Sequence, residues 1–243
     1  MIHTKYMNTT TPKTFSIVEA FKFAWERFKN NWAVLVGMAA IMWLVPLIPA
    51  FLLFGIAPDN QGQAVAIVSV IGLLMVVLNM LIFRGALKLG LKVHDNQPTG
   101  IQEIWADTGK ILSFLGTAIL FGVILIVGLI LLIIPGIIWG VKYSMSVLVA
   151  VDRGLSPKDA LKKSAELTRG YFWPLLSFYA VVAIVNSFTS NQDFLYGVLF
   201  LLSFPLTLLA QVYVYRKLLQ QADAKDMPMA APPSAPVVGS PVA

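Results

Sequence analysis

The chain has 243 residues, of which 58% are hydrophobic and only 12% are charged, and its mean hydropathy is +0.77. A soluble domain carries about 25% charged residues, so this composition excludes an ordinary soluble protein and favours an all-α, polytopic membrane protein. The net charge is +6. Because the basic residues flank apolar runs, we expect them to face a membrane surface and not nucleic acid. The absence of cysteine excludes disulfides and thiol chemistry.

The N-terminal part divides into a polar tail and an amphipathic helix. Residues 1–14 are polar and lack the features of a secretory signal, so we expect the first span to serve as the targeting signal. Ser16 and Glu19 have the spacing of a capping box, which predicts that an interfacial helix begins here and covers residues near 16–31.

Six apolar runs are predicted to cross the bilayer. Pro46 and Pro49 should kink the first run. The fourth, Ile137–Val151, follows the turn-forming pair Pro135-Gly136 and would measure about 22 Å as a helix, short of the roughly 30 Å hydrocarbon core. The predicted spans lie near residues 33–57, 64–83, 111–134, 137–151, 172–188 and 194–215.

The distribution of charge decides in favour of the sixth span. With six spans and a cytoplasmic N-terminus, every lysine and arginine except Lys142 falls in a segment on the inner side. Five spans would place the Arg153–Arg169 segment outside and remove this bias. We therefore expect a multi-pass protein of the inner (plasma) membrane with both termini in the cytoplasm, in which residues 15–219 form a single membrane domain.

A second amphipathic helix is predicted near residues 156–169, on the cytoplasmic face. Ser156 is a natural N-cap, Pro157 suits the first helical position, and Gly170 should end the helix. Positions 157, 160, 161, 164, 167 and 168 share one weakly apolar stripe, and the charged side chains point away from it. We expect this helix to lie on the inner leaflet.

The two amphipathic helices are related by an offset of 140 residues, which predicts parallel internal repeats. Ser16 corresponds to Ser156, and Glu26 to Glu166. A weaker third copy would begin at Thr99 and form an interfacial helix near residues 100–108. Each repeat would consist of a surface helix followed by a transmembrane hairpin.

The second span and the C-terminus give two further predictions. Arg84, Lys88 and Lys92 recur every fourth residue, so the second span should continue into the cytoplasm as a helix with a basic stripe. Residues 222–243 are rich in proline and predict a disordered tail.

The segment 134–176, IPGIIWGVKYSMSVLVAVDRGLSPKDALKKSAELTRGYFWPLL, is similar to a known bacterial and archaeal family. It resembles the integral-membrane domain attached to some glycerophosphoryl diester phosphodiesterases, a family with many stand-alone members. The resemblance implies no catalytic residue, and no soluble phosphodiesterase domain is expected because the stretches outside the predicted spans are short. The matching positions are Pro135, Gly136, Lys142, Tyr143, Asp152, Ala160, Leu161, Lys162, Ser164, Thr168 and Gly170.

Lys142 is the candidate functional residue within the membrane, because it is the only charge inside a predicted span. Counted from Gly136, it lies about 9 Å below the outer end of its span. One interpretation is that Lys142 extends to the outer surface, toward Asp59 or Asp193. The other is that it contacts a substrate or a lipid phosphate inside the bundle.

Other candidates lie at the predicted inner surface. His94, Asp95, Glu103 and Asp107 form a weak candidate metal set, and their spacing matches no known site, so we expect no metal or other cofactor. The candidate contacts to lipid headgroups are Arg84, Lys88, Lys92, Lys158, Lys162, Lys163 and Arg169.

The function that these features favour is a non-catalytic integral membrane component that organises lipids or partner proteins at the cytoplasmic face. Its expected partners are membrane lipids with anionic headgroups, together with a soluble or membrane protein. An alternative is a small carrier or channel for a lipid-like or anionic solute, using Lys142 and the kinked first span. A membrane enzyme that acts on lipid headgroups is a third hypothesis.

Overall fold

The computed structural model describes residues 15–48, 61–104, 110–187 and 194–226, and this part of the chain contains helices and no strand. The all-α prediction is therefore confirmed. Short 3-10 turns cover Val45–Leu47 and Ile101–Ile104. The described α-helices are α1 (Ile17–Leu44), α2 (Gln61–His94), α3 (Ile111–Leu131), α4 (Ile133–Tyr143), α5 (Ser146–Arg153), α6 (Pro157–Leu167), α7 (Phe172–Ser187) and α8 (Phe194–Asp226).

Five of the described helical segments are long and apolar enough to cross a membrane, which supports a polytopic membrane protein. The number rises to six if α6 and α7, which are bent by 107°, count as one span. The segment Ile133–Arg153, which unites α4 and α5, qualifies with 21 residues although sequence length argued against it. By contrast, α7 has 16 described residues and qualifies only together with α6.

Helix α1 contains both the amphipathic segment and the start of the first span. Ser16 caps it, and its hydroxyl oxygen accepts a hydrogen bond from the Glu19 amide at 3.2 Å. Asn31 has non-helical backbone angles (φ −129°, ψ 22°), which separate the amphipathic part from the apolar part. The α-helix ends at Leu44, where Pro46 enters a 3-10 turn. The α-helix thus changes to a 3-10 turn at Pro46. The kink expected from Pro46 and Pro49 stays a prediction, and Pro49 lies outside the described residues.

The turn predicted at Pro135-Gly136 is wrong, because the chain turns earlier. Leu132 is extended (φ −167°, ψ 145°), and α4 begins directly after it. Pro135 fits within the first helical turn, where a missing backbone N–H leaves no hydrogen bond unmade. Gly136 then packs against Gly128 so tightly that a Cβ on Gly128 would lie 2.9 Å from the Gly136 Cα.

The C-terminal boundary is also corrected. Helix α8 continues to Asp226, and Ala222 packs against the core, so the tail predicted from residue 222 is helical at its start. The reason is local: prolines begin only at Pro228, and the residues before it are compatible with a helix. Residues 1–14 and 227–243, which carry the remaining tail predictions, lie outside the described residues.

The third surface helix, predicted near residues 100–108, takes a different form where it is described. Residues 101–104 form a 3-10 turn instead of an α-helix. Residues 105–109 lie outside the described part. This segment therefore provides no support for a third amphipathic helix.

Buried and exposed apolar residues lie in different parts of the same helices. In α2, Val65 and Leu73 are 65% and 68% exposed, whereas Ile82 and Leu89 are fully buried. Exposed apolar surface on this scale suits a lipid solvent. The core forms where the latter half of α2 meets α1, α5, α6 and the latter half of α8.

Candidate functional site

Helix α6 has one face buried in the protein and one face free. The hydroxyl oxygen of Ser156 accepts from the Asp159 amide at 3.4 Å and donates to the Asp159 carboxylate at 2.6 Å, which confirms the predicted cap. Gly170, with φ 88°, ends the segment in the left-handed region that favours glycine. The buried residues are Ala160, Leu161, Ser164, Leu167 and Thr168, as the stripe predicted. They face α3, α4 and α5, so the apolar stripe packs against protein, whereas the sequence predicted that this stripe would rest on the inner leaflet.

Two hydroxyl groups attach α6 to the break between α4 and α5. The hydroxyls of Ser164 and Thr168 both donate to the Lys142 carbonyl, at 3.1 and 3.0 Å. The Ser164 oxygen also accepts from the Met145 amide at 3.2 Å. Backbone groups left unpaired by a helix break are costly to bury, and these hydrogen bonds satisfy them.

Beside this attachment lies a pocket of about 570 Å³ that is lined in part by basic side chains. Lys142 of α4 and Lys162 of α6 line it together with Arg169, which follows α6; we call it the basic pocket. Glu166 also lines it, but this carboxylate pairs with Lys163 at 3.5 Å. Ile138, Val141 and Phe172 give the pocket an apolar wall as well.

The charge and shape of the basic pocket favour an amphiphilic anion. Three cations and one carboxylate line it, so the local charge is positive. Guanidinium and ammonium groups bind phosphate through charge-assisted hydrogen bonds. The apolar wall would exclude a fully hydrated ion and would suit a group joined to hydrocarbon.

Lys142 lines one pocket with Lys162 and Arg169, which belong to the segment predicted to lie on the inner side. A position of Lys142 at the outer surface is therefore incompatible with an inner position of α6. Lys142 also lies further from the start of its helix than the count from Gly136 gave, because α4 begins at Ile133. Asp59 and Asp193, the proposed outer partners, lie outside the described residues.

Contacts between α7 and α8 place the basic pocket at the charged end of α8. Tyr171, at the start of α7, donates a hydrogen bond to Gln221. Further along α7, Tyr179 accepts one from Gln211 at 3.3 Å. The two helices are therefore antiparallel. Burial raises the pKa of the Tyr171 phenol, so it remains a neutral donor at physiological pH.

The other candidate headgroup contacts differ in exposure. Helix α2 does continue to His94, as predicted, but Arg84 is only 6% exposed, and Lys88 and Lys92 are half-buried. The basic stripe is not a free surface, because α1, α5 and α8 pack around the end of α2. Arg84 is therefore excluded as a surface contact. Lys158 is exposed outside the basic pocket, and Lys163 pairs with Glu166.

A polar network that sequence analysis missed joins the ends of α2 and α5 to α8. Arg216 of α8 donates to Asp152 of α5 at 2.9 Å and to Asp95, just after α2, at 2.6 Å. Tyr215 donates to Asp152 at 2.8 Å. Asp152 was singled out by the family resemblance, and Arg216 stands at the end of a predicted span. The sequence did contain one signal for this network. Asp152 and Arg216 carry opposite charges and follow two predicted spans that end on the same side of the membrane.

A second cluster surrounds Phe23 of α1. Its ring packs against His94 and Tyr213, with centroid distances of 4.9 and 5.1 Å, and the Arg27 guanidinium lies 5.1 Å from its centroid. His94 Nδ1 contacts the Asp95 carboxylate at 2.9 Å. Among the described residues, no group of acidic, histidine or cysteine side chains could hold a metal. The side chains of Glu103 and Asp107, from the candidate metal set, lie outside those residues.

Comparison with known proteins finds relatives of unknown role. The chain is 27% identical to uncharacterised proteins of Mycobacterium tuberculosis and Mycobacterium bovis, in an alignment that covers 84% of this chain and 69% of each relative. No family model matches the chain, and no solved structure matches it. The resemblance to the phosphodiesterase membrane domain therefore stays a prediction.

Proposed function

We propose that this chain is a non-catalytic, multi-pass protein of the inner membrane that binds anionic lipid headgroups in the basic pocket. The observation that carries the proposal is that Lys142, Lys162 and Arg169 line one pocket together with an apolar wall. Such a wall and such charges match the boundary between a lipid phosphate and its hydrocarbon. Binding there would let the protein organise lipids, and through them partner proteins, at the cytoplasmic face.

The free face of α6 supports the same orientation. Lys158, Lys162 and Arg169 are exposed and lie on one side of the helix, away from the buried stripe. Each basic residue near an anionic membrane surface contributes about 1 kcal/mol of attraction. With α6 at the inner leaflet, both termini would be cytoplasmic, as the distribution of basic residues predicts.

The internal repeat belongs to this proposal as well. The N-caps Ser16 and Ser156 make the same hydrogen bond to the amide three residues later. At the same offset, the kink residue Asn31 corresponds to Tyr171, which joins α6 to α7. These correspondences support a duplicated unit of surface helix and span, and the resemblance to the phosphodiesterase membrane domain family is proposed with it.

Lipid-induced stabilisation of the purified protein tests headgroup binding. We expect dihexanoyl phosphatidylglycerol to raise the melting temperature of the detergent-solubilised protein more than dihexanoyl phosphatidylcholine does. Replacing Lys142, Lys162 and Arg169 together by glutamine should weaken phosphatidylglycerol binding by about 100-fold, because each charge contributes about 1 kcal/mol. The matched control is Lys158→Gln, which removes a charge from α6 outside the basic pocket and should leave the affinity nearly unchanged.

The result that would overturn the proposal is equal stabilisation by the two lipids, or an equal loss of affinity in the control variant and the triple variant. Either outcome would show that general attraction to a basic surface, and not this pocket, governs binding.

A further inference from the structure

A second cavity adjoins the basic pocket on the other side of α4. It has a volume of about 360 Å³ and lies between α3, α4 and α7; we call it the apolar groove. Its walls are almost entirely hydrocarbon. They include Phe121, Leu125, Leu129, Ile137 and Leu176.

The basic pocket and the apolar groove adjoin along two helices. Val141 of α4 lines both cavities. On α7, Phe172 lines the basic pocket and Leu176, one turn further, lines the apolar groove, so the same helical face forms a wall of each. The two cavities are therefore close enough for one amphiphilic molecule to occupy both.

The apolar groove has room because α4 carries glycine where it faces α3. Gly140 lines the groove, and a Cβ on it would lie 3.2 Å from the Leu125 side chain. A larger residue at this position would close the floor of the groove.

The groove also contains a few polar groups. Ser144 follows Val141 by one turn, and Tyr179 and Gln211 are hydrogen-bonded to each other at 3.3 Å. The two adjoining cavities therefore offer three cations, a few hydroxyl and amide groups, and hydrocarbon. Phosphate, ester and acyl chain are the parts of a phospholipid that suit these surroundings.

We propose that the apolar groove holds an acyl chain of the same anionic phospholipid whose phosphate occupies the basic pocket. The inference rests on the proposed function and makes it more specific. The ligand is a whole phospholipid with a phosphate and a chain bound at adjoining places, and not a free phosphate or a headgroup at the membrane surface.

Photo-crosslinking with a phosphatidylglycerol that carries a diazirine in its acyl chain tests this arrangement. In proteoliposomes, we expect crosslinks at Leu125, Ile137 and Leu176 to exceed those at Leu73, an exposed residue of α2 that reports ordinary surrounding lipid. Replacing Lys142, Lys162 and Arg169 together by glutamine should lower the groove crosslinks in proportion to the loss of affinity, by about 100-fold at sub-saturating lipid. Crosslinking at Leu73 should not change.

Two groove variants and a control complete the experiment. Ile137→Trp and Leu176→Trp each place an indole in the apolar groove and should remove crosslinks from its remaining walls, whereas Ile130→Trp, on exposed surface outside the groove, should not. Both groove variants should still be stabilised by dihexanoyl phosphatidylglycerol if they are folded, which separates loss of the chain site from loss of the headgroup site.

The outcomes distinguish the two proposals. Uniform crosslinking of groove and α2, or equal groove crosslinking by a phosphatidylcholine analogue, would overturn the acyl-chain inference while leaving headgroup binding to its own test. Failure of the headgroup test together with strong groove crosslinks would show a chain site that is independent of charge, and would overturn both proposals.

Discussion

Lys142 combines a structural role and a proposed functional role in one residue. Its carbonyl accepts hydrogen bonds from Ser164 and Thr168, which hold α6 against α4. Its side chain lines the basic pocket beside Lys162. A substitution at Lys142 can therefore test charge without breaking the attachment, because the backbone carbonyl is kept.

Glycines of α3 provide a prediction at the scale of a residue. A Cβ on Gly128 would lie 2.9 Å from both the Gly136 backbone and the Trp139 ring, whereas a Cβ on Gly122 would meet nothing within 4 Å. We expect Gly128→Ala to destabilise the protein by about 1–3 kcal/mol, because the α3–α4 hairpin must open to accept the methyl group. Gly122→Ala is the matched control and should be neutral or slightly stabilising.

Thermal unfolding of the two detergent-solubilised variants measures the difference. A melting temperature for Gly128→Ala equal to that of Gly122→Ala would show that the hairpin is not closely packed at this point.

At the scale of secondary-structure elements, Arg216 of α8 connects the ends of α2 and α5. Asp152 and Arg216 have side-chain exposures of 15% and 19%, so their 2.9 Å contact is largely shielded from solvent. The contact between Arg153 and Asp223 is longer, at 3.9 Å, and more exposed. Removing one partner of a shielded ion pair leaves the other charge buried and unpaired, which lowers the free energy of unfolding. An exposed ion pair contributes little to that free energy.

We predict that Arg216→Gln lowers the free energy of unfolding by about 1–3 kcal/mol, because it leaves the carboxylates of Asp152 and Asp95 without their shared cation. Arg153→Gln should cost less than about 0.5 kcal/mol. Unfolding by sodium dodecyl sulfate, followed by tryptophan fluorescence, compares the two variants. Equal losses would contradict a specific role for the Arg216 network.

At the scale of the whole molecule, apolar exposure and polar packing are segregated along the helices. Helix α2 is exposed at Val65 and Leu73 and buried from Ile82 onward. The basic pocket and the Arg216 network both belong to the part that contains the packed core. In a membrane, the exposed apolar part would face lipid, and the core would lie at one surface.

Cysteine accessibility tests this arrangement, and the chain contains no native cysteine to interfere. In sealed right-side-out vesicles, we expect a membrane-impermeant maleimide to label Gly62→Cys, at the exposed start of α2. Lys142→Cys and Lys158→Cys should be labelled only in inside-out vesicles, because both residues lie at the end of the molecule that carries α6.

Each alternative result has a different meaning. If Lys142→Cys and Gly62→Cys are labelled in right-side-out vesicles and Lys158→Cys is not, Lys142 reaches the outer surface. Lys142 and Lys162 would then not share the basic pocket. Labelling of Lys142→Cys and Lys158→Cys from outside, without Gly62→Cys, would invert the topology and leave the pocket intact.

The features that sequence analysis predicted well depend on neighbours in the chain. The caps at Ser16 and Ser156 and the stop at Gly170 each depend on a few adjacent residues. The helical class and most span positions follow from apolar runs of sufficient length. The turn at Pro135-Gly136 was misplaced because proline is as acceptable in the first turn of a helix as in a loop.

The composition and hydropathy pattern by themselves determined that the chain is a helical membrane protein. Its apolar runs are long enough to cross the hydrocarbon core, and a helix satisfies its own backbone hydrogen bonds there. Only the tertiary structure decided that Lys142 lines one pocket with Lys162 and that Arg84 is buried. It also decided that Arg216 bridges Asp95 and Asp152. The physical reason is that each of these outcomes depends on how helices far apart in the chain pack and bend. The 107° bend between α6 and α7 is set by such packing, and local sequence does not specify its direction.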